Sequence, residues 1–364
     1  MTVFNRLQNL VDLAKEPSSE KRRDLLREVT DVFLEQPDQY NPMEREYFGE
    51  IMGKVAQSVE REIRKDLAMR LSDVAAAPEA VIKQLADDEI EVAKSILENS
   101  LALSDGDLID IIKKKGAEHQ SAVARRVHVS EEVSDTLVDH GANEALVTLV
   151  ANQGAQISRD TMKKVVVRAE TDEELHAPVL DRADLPPDLM HDMFWFVSSA
   201  LREQILTTTS DIDVDILDGI LAETERKVGT LVTGAMPEKT DAQIYIDKMS
   251  GQRQLNESLL VQLLREKRIP ELICGFSRLA KIGEDTARRI IFDKSGEGLA
   301  VACKANRFDR STFSTFVLLG SPEGSRSIEE TYELLDLYDR VPIDVAQRTI
   351  RFWRVRRDAM EQAA

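Results

Sequence analysis

Apolar residues along this chain recur every three or four positions in short runs, and each run opens after a residue that starts helices. Five such starts come at nearly constant spacing: Pro78, Ser104, Ser130, Ser158 and Pro186, in steps of 26, 26, 28 and 28 residues. Behind them stand EAVIKQL, DGDLIDII, EEVSDTLV, RDTMKKVV and PDLMHDMF, each a polar residue or two followed by an apolar helix. Serine accepts from the free N–H groups of a first helical turn, and proline is pre-shaped for a helix start. Before most of these starts lies another short helical run that ends in a polar turn. The predicted helix pairs are 78–100, 104–126, 130–153, 158–180 and 186–207. A period of this size marks helical repeats, because two short helices cannot bury their shared apolar face until the next pair stacks on it.

The pattern breaks and then resumes. After Leu206, TTTSDIDVDILDGILAETERK reads as a capped turn and a helix through Lys227. Starts return near Asn256, Gly283 and Arg310, 27 residues apart, with PELICGFSRLA and GEGLAVACKA between them. On the N-terminal side, residues 2–15 read as a short amphipathic helix and SEKRRDLLREVTDVFL as a second. Met43 to Leu71 reads as one long charged helix, which covers the first repeat or pairs with its counterpart in a homodimer. Gly116, Gly141 and Gly154 fall near helix ends, where a left-handed backbone costs glycine nothing. The expected fold is all-α: a HEAT-like helical-repeat solenoid of short antiparallel pairs with helical caps at both ends. Its parts are a cap over 1–72, a first block over 73–207, a junction over 208–250, a second block over 251–325, and C-terminal helices over 326–364.

The C-terminal block also carries a family resemblance. Its apolar helix, Gly296, Leu299, the CKANRFDR turn and the STF that opens the next helix resemble a family of uncharacterised alphaproteobacterial proteins, a domain of unknown function built from HEAT-like helices. The likeness covers residues 75–325. It implies a bacterial cytoplasmic protein of regulatory or scaffolding type and brings no catalytic residues with it.

Composition narrows the chemistry. Apolar residues make up 42% of the 364, but aromatics only 5%, so the core is mainly aliphatic. A net charge of -18 argues against a broad nucleic-acid footprint and favours basic partners. No apolar run approaches the length of a membrane span, and the opening residues lack the pattern of a signal peptide, so a cytoplasmic location is expected. Cys274 and Cys303 sit in apolar runs and match no zinc spacing. His119, His128, His140, His176 and His191 form neither HExxH nor an i, i+4 pair. The cluster Asp211, Asp213, Asp215 and Asp218 fails as a calcium loop, since Ile216 and Ala222 occupy the places of the required glycine and glutamate. GTLVTGAMPEKT lacks phosphate-loop spacing, and no serine lies in a GxSxG elbow. No catalytic residue, metal or cofactor is assigned, and a non-enzyme is expected.

Two surfaces remain. Register along the repeats puts Arg125, Arg126, His128, His140, Asn143, Arg159 and Lys163 on a face for a partner protein. On the last helix Arg348, Arg351, Arg354 and Arg357 recur every three residues and form one basic stripe beside Trp353. That stripe either anchors an acidic protein, nucleic acid or anionic lipid, or docks on the chain's own acidic helices. The expected function is a non-catalytic bacterial protein that mediates protein–protein interaction as a signalling or regulatory scaffold. The alternatives are a ligand-responsive regulator with a small-molecule site near 207–240, and a nucleic-acid-binding repeat protein.

Overall fold

The computed structural model of the chain describes residues 19–211, 239–320 and 327–360. The helices expected over 2–15 and through Lys227 lie outside these residues, as do Asp213, Asp215 and Asp218. The protein is all-α. Among the described residues the sole β pairing is one isolated parallel bridge between Val129 and Ala155. The chain divides into two compact units at Leu185/Pro186, earlier than the boundary expected near 207.

The first unit contains α1 (Ser19–Glu35), α2 (Pro42–Ala56), α3 (Arg61–Leu71), α4 (Glu79–Ala86), α5 (Ile90–Asn99) and α6 (Asp105–Lys114). It continues with α7 (Ala117–Ala124), α8 (Glu131–His140), α9 (Asn143–Ala151), α10 (Arg159–Ala169) and α11 (His176–Leu180). The helix starts fall where the sequence puts them. Ser104, Ser130 and Ser158 accept from the N–H groups of Asp107, Val133 and Thr161 to open α6, α8 and α10. Pro78 holds extended geometry before α4.

Packing follows the period. In one row α2 lies on α4, α6 on α8, and α8 on α10; in the other, α3 lies on α5, α5 on α7, α7 on α9, and α9 on α11. From α3 to α11 each helix of the second row thus touches the equivalent helix of the next pair, as helical repeats do, while the first row has no comparable contact between α4 and α6. Helices of 8 to 11 residues such as α4 to α10 are marginal alone in water, so this stacking holds them. Leu85, Ile96, Leu137, Leu146, Leu149 and Val165 are fully buried in it. Gln120 to Ala124 are all buried on α7, whose small side chains let α5 and α9 close on it from both sides. At the N-terminal end the rings of Phe33, Tyr40 and Phe48 fill the space under α1, with centroids 4.8 to 5.7 Å apart.

Met43 to Leu71 is not one helix. It breaks between Ala56 and Arg61, where no proline or glycine stands to signal a stop. The cause is tertiary: Arg64 donates from Nη1 to the Val59 carbonyl at 3.0 Å and forks onto Asp88 at 2.5 and 3.0 Å.

The second unit contains α12 (Pro187–Met193), α13 (Ser199–Asp211), α14 (Asp241–Gly251), α15 (Glu257–Arg265) and α16 (Ile269–Ala280). It ends with α17 (Glu284–Phe292), α18 (Glu297–Ala305), α19 (Arg310–Leu319), α20 (Ile328–Arg340) and α21 (Ile343–Met360). Pro186, Asn256 and Gly283 cap helices, and α19 begins at Arg310, as expected. The packing is less regular than the spacing. The helix α15 reaches past α17 to lie on α19, and α21 returns against α18, α13 and α12. Bulky rings account for this, since Phe276 meets both Phe308 and Phe316 edge-on at 6.2 and 6.1 Å.

The expected glycine geometry does not occur. Gly116 and Gly141 have φ of -81° and -73°, and the only glycine with positive φ among the described residues is Gly296. Closeness, not handedness, requires Gly154: a Cβ there would stand 1.9 Å from the Val127 carbonyl oxygen. Four basic residues instead take the left-handed ends, Arg253, Lys267, Lys281 and Arg307, with φ between 55° and 59°. The N–H after each returns to a carbonyl five residues back, as from Arg268 to Leu263 at 2.9 Å and from Phe308 to Cys303 at 3.0 Å. A cation suits the negative end of the helix, while the backbone suits glycine better.

Two substitutions separate these constraints. Lys267→Gly is expected to raise stability by about 0.5 kcal/mol, the relieved backbone outweighing the lost charge. Gly154→Ala is expected to lower it by about 2–3 kcal/mol through overpacking. Urea unfolding midpoints measure both.

Candidate interaction surfaces

Each helix of the α5, α7, α9 row ends in carbonyls that its own turns leave free. A side chain from the following repeat takes them. Arg126 donates from Nη1 to Leu97 O at 2.6 Å and from Nη2 to Ser100 O at 2.7 Å. Asn152 donates to Ala124 O at 2.9 Å and Arg126 O at 2.7 Å. Arg182 donates to Val150 O, Asn152 O and Ala155 O at 2.9 to 3.1 Å, with Asp184 holding its guanidinium at 2.7 Å. These three residues form a polar ladder down one end of the helix pairs. Burial lowers the Arg126 pKa against the opposing pull of Asp105, and its guanidinium faces helix ends that favour positive charge. At the other end Gln120 does similar work, donating to Ile112 O at 2.8 Å and accepting from the Ala142 N–H at 2.9 Å.

The seven residues expected on one face therefore separate. Arg126 is 8% exposed and is a rung of the ladder, not part of a free surface. Arg125 is exposed, 3.7 Å from Glu98, and His128, Arg159 and Lys163 are exposed too. Arg125, His128 and Arg159 lie where α7 finishes and α8 and α10 begin. His140 ends α8 and Asn143 opens α9, at the opposite end, where Asn143 bonds Asp172. The sequence reading missed Leu101 and Val127, 77% and 71% exposed at equivalent steps of adjacent turns beside Arg125 and His128. Their signal was an apolar residue recurring just after a helix end, 26 positions apart.

The second unit holds an open trough of about 540 Å³ between α13 and α20. A smaller pocket of about 220 Å³ continues it, sharing Glu203, Leu206, Leu337 and Arg340. Acidic side chains dominate the polar lining: Glu203, Glu297, Glu330, Glu333 and Asp336, against Lys294 and Arg340.

Residues 92–351 match the family described as uncharacterised proteins conserved in bacteria, DUF2336. The chain belongs to that family. No curated protein and no solved structure matches it. The match runs from α5 into α21, so it includes the ladder from Arg126 to Arg182 and both walls of the trough.

Among the described residues no three His, Cys, Asp or Glu side chains gather as metal ligands. Burial pushes the Cys274 thiol up to about 11 and the Cys303 thiol higher still, which keeps both protonated and unreactive. Among the described residues no helix is long and apolar enough to cross a membrane.

The basic stripe of α21 is partly turned inward. Trp353, expected as the anchor, is 2% exposed and packs against Trp195 and Phe194 at 4.8 and 5.4 Å. Arg354 donates to Ala280 O at 3.1 Å, and Arg348 donates to Thr209 O at 3.3 Å. Arg351 is exposed, and the Arg357 side chain lies outside the described residues. One turn of α21 also covers His191, whose ring stacks on Phe352 at 4.1 Å and meets Thr209 Oγ1 at 3.2 Å. Its Nδ1 has no hydrogen-bond partner among the described residues, and burial pushes its pKa down to about 3.

Two measurements follow from these contacts. Arg126→Leu leaves the Leu97 and Ser100 carbonyls buried without donors and is expected to cost about 2–4 kcal/mol. Arg126→Lys is expected to recover less than half of that in urea unfolding, because a point charge cannot replace the fork. Unfolded His191 titrates near its ordinary value of about 6.5. Between that pH and about 3 the unfolded chain binds a proton that the folded chain refuses, so stability falls as pH drops through this window. His191→Leu is expected to flatten the stability slope there by up to ~1.4 kcal/mol per pH unit.

Proposed function

We propose that the chain is a non-catalytic helical-repeat protein of the bacterial cytoplasm, a signalling or regulatory scaffold that binds a partner protein along its first unit. One observation carries this reading: equivalent helices of successive pairs pack on one another from α3 through α11. Stacking of that kind makes a solenoid, with side chains repeated at fixed intervals along an extended surface. The binding edge is the end of the pairs where Leu101 and Val127 stand exposed beside Arg125, His128 and Arg159. Isolated exposed apolar residues are ordinary, but two at matched steps with cationic neighbours form the apolar centre and polar rim of an interface.

Copurification from the native bacterium tests it, with wild-type chain compared against Leu101→Asp/Val127→Asp. A protein partner retained by the wild type is expected to fall at least tenfold with the double variant. A His140→Ala/Asn143→Ala variant, altered at the opposite end, is expected to keep it. Loss with both variants, or with neither, overturns the assignment of the edge.

A further inference from the structure

The trough of the second unit is unlike the binding edge just described. Its floor is apolar, formed by Leu206, Leu334 and Leu337 and carried on into the smaller pocket by Val341 and Val345. Its walls are two helices, α13 and α20, and Lys294, Ser295 and Glu297 from the start of α18 also line it. Carboxylates stand on both walls, Glu203 on α13 and Glu330, Glu333 and Asp336 on α20. Two cations line the trough, Lys294 and Arg340, against five carboxylates, and Arg340 pairs with Glu203 at 2.8 Å and with Asp336 at 2.9 Å. Glu297 is held by Arg202 at 3.3 Å. Glu333, by contrast, is exposed and has no ion-pair partner among the described residues. On the neighbouring stripe of α20, Ile328 and Tyr332 are 73% and 69% exposed and widen the apolar surface beyond the acidic rim.

We infer that this trough docks a basic amphipathic helix from a partner protein. A helix with its side chains is about 10–12 Å across, and an apolar stripe flanked by lysine and arginine complements an apolar floor between acidic walls. Charge complementarity sets the choice of occupant. Nucleic acid and anionic lipid meet the same carboxylates as repulsion. The rim fixes orientation and speeds encounter, while the floor supplies the affinity. This site lies in the second unit and does not rest on the edge at Leu101 and Val127.

The probe is a fluorescein-labelled peptide of about 18 leucine, lysine and arginine residues in helical amphipathic spacing, titrated into the full chain by fluorescence anisotropy. A scrambled peptide of the same composition is the control. Binding in the micromolar range is expected, weakened at least tenfold by Glu333→Lys/Asp336→Lys. Glu118→Lys/Glu144→Lys makes the same change in net charge on the first unit and is expected to shift affinity less than twofold. Leu101→Asp/Val127→Asp is expected to leave it unchanged. The proposal is overturned if the peptide does not bind, if the scrambled peptide binds equally, or if both charge reversals weaken binding alike. The last two outcomes mean attraction to an acidic protein without a site. A photo-crosslinker placed at Tyr332 that fails to capture the bound peptide overturns it as well.

Discussion

A short helix is limited by its ends. In an eight-residue helix such as α7, half of the peptide carbonyls lie in the last turn and have no partner within the helix. If they are buried by stacking they must be bonded, because an orphaned polar group costs about 1–3 kcal/mol. The first unit meets this condition with side chains from the following repeat, through Arg126, Asn152 and Arg182. Apolar stacking and carbonyl bonding are thus one requirement: the stack buries the helix ends, and the ladder makes that burial tolerable. The register of the stack depends on it, since losing one rung would leave two or three carbonyl acceptors empty.

The helix starts were legible because the cap is a local interaction. Ser104, Ser130 and Ser158 bond N–H groups three residues away, so their spacing alone reports the repeat. What was not legible acts over distance. Arg126 read as a surface cation because nothing nearby in sequence says that its fork closes on carbonyls 26 and 29 residues back. The break in Met43–Leu71 was hidden for the same reason, being set by Arg64 and Asp88 across two helices. The surroundings of Trp353 were hidden too, since Phe194 and Trp195, against which it packs, come from the far side of the second unit's sequence. A faint trace did exist for the ladder: Arg126 and Arg182 each stand four residues before a helix start, as Ser100 does.

The two units share a period and differ in what fills them. Alanine, valine and leucine predominate where α5, α7 and α9 stack, and small side chains let equivalent helices approach one another in order. In the second unit Phe276, Phe308, Phe313, Phe316, Tyr338 and the rings around Trp353 occupy the interior. Large rings push the helices around themselves, and α15 finds α19 instead of α17. The same spacing in sequence therefore supports two packings, chosen by side-chain volume.

The ladder has a direction. Arg126, Asn152 and Arg182 all reach toward the N-terminus, so the ends of α5, α7 and α9 are each sealed by the repeat that comes after. During synthesis from the N-terminal end, a repeat that has emerged still waits for its successor's fork before its last carbonyls are closed. Damage travels the same way: loosening of Arg182 unseals the end of α9 and leaves later helices untouched, like a seam that unravels from one side only.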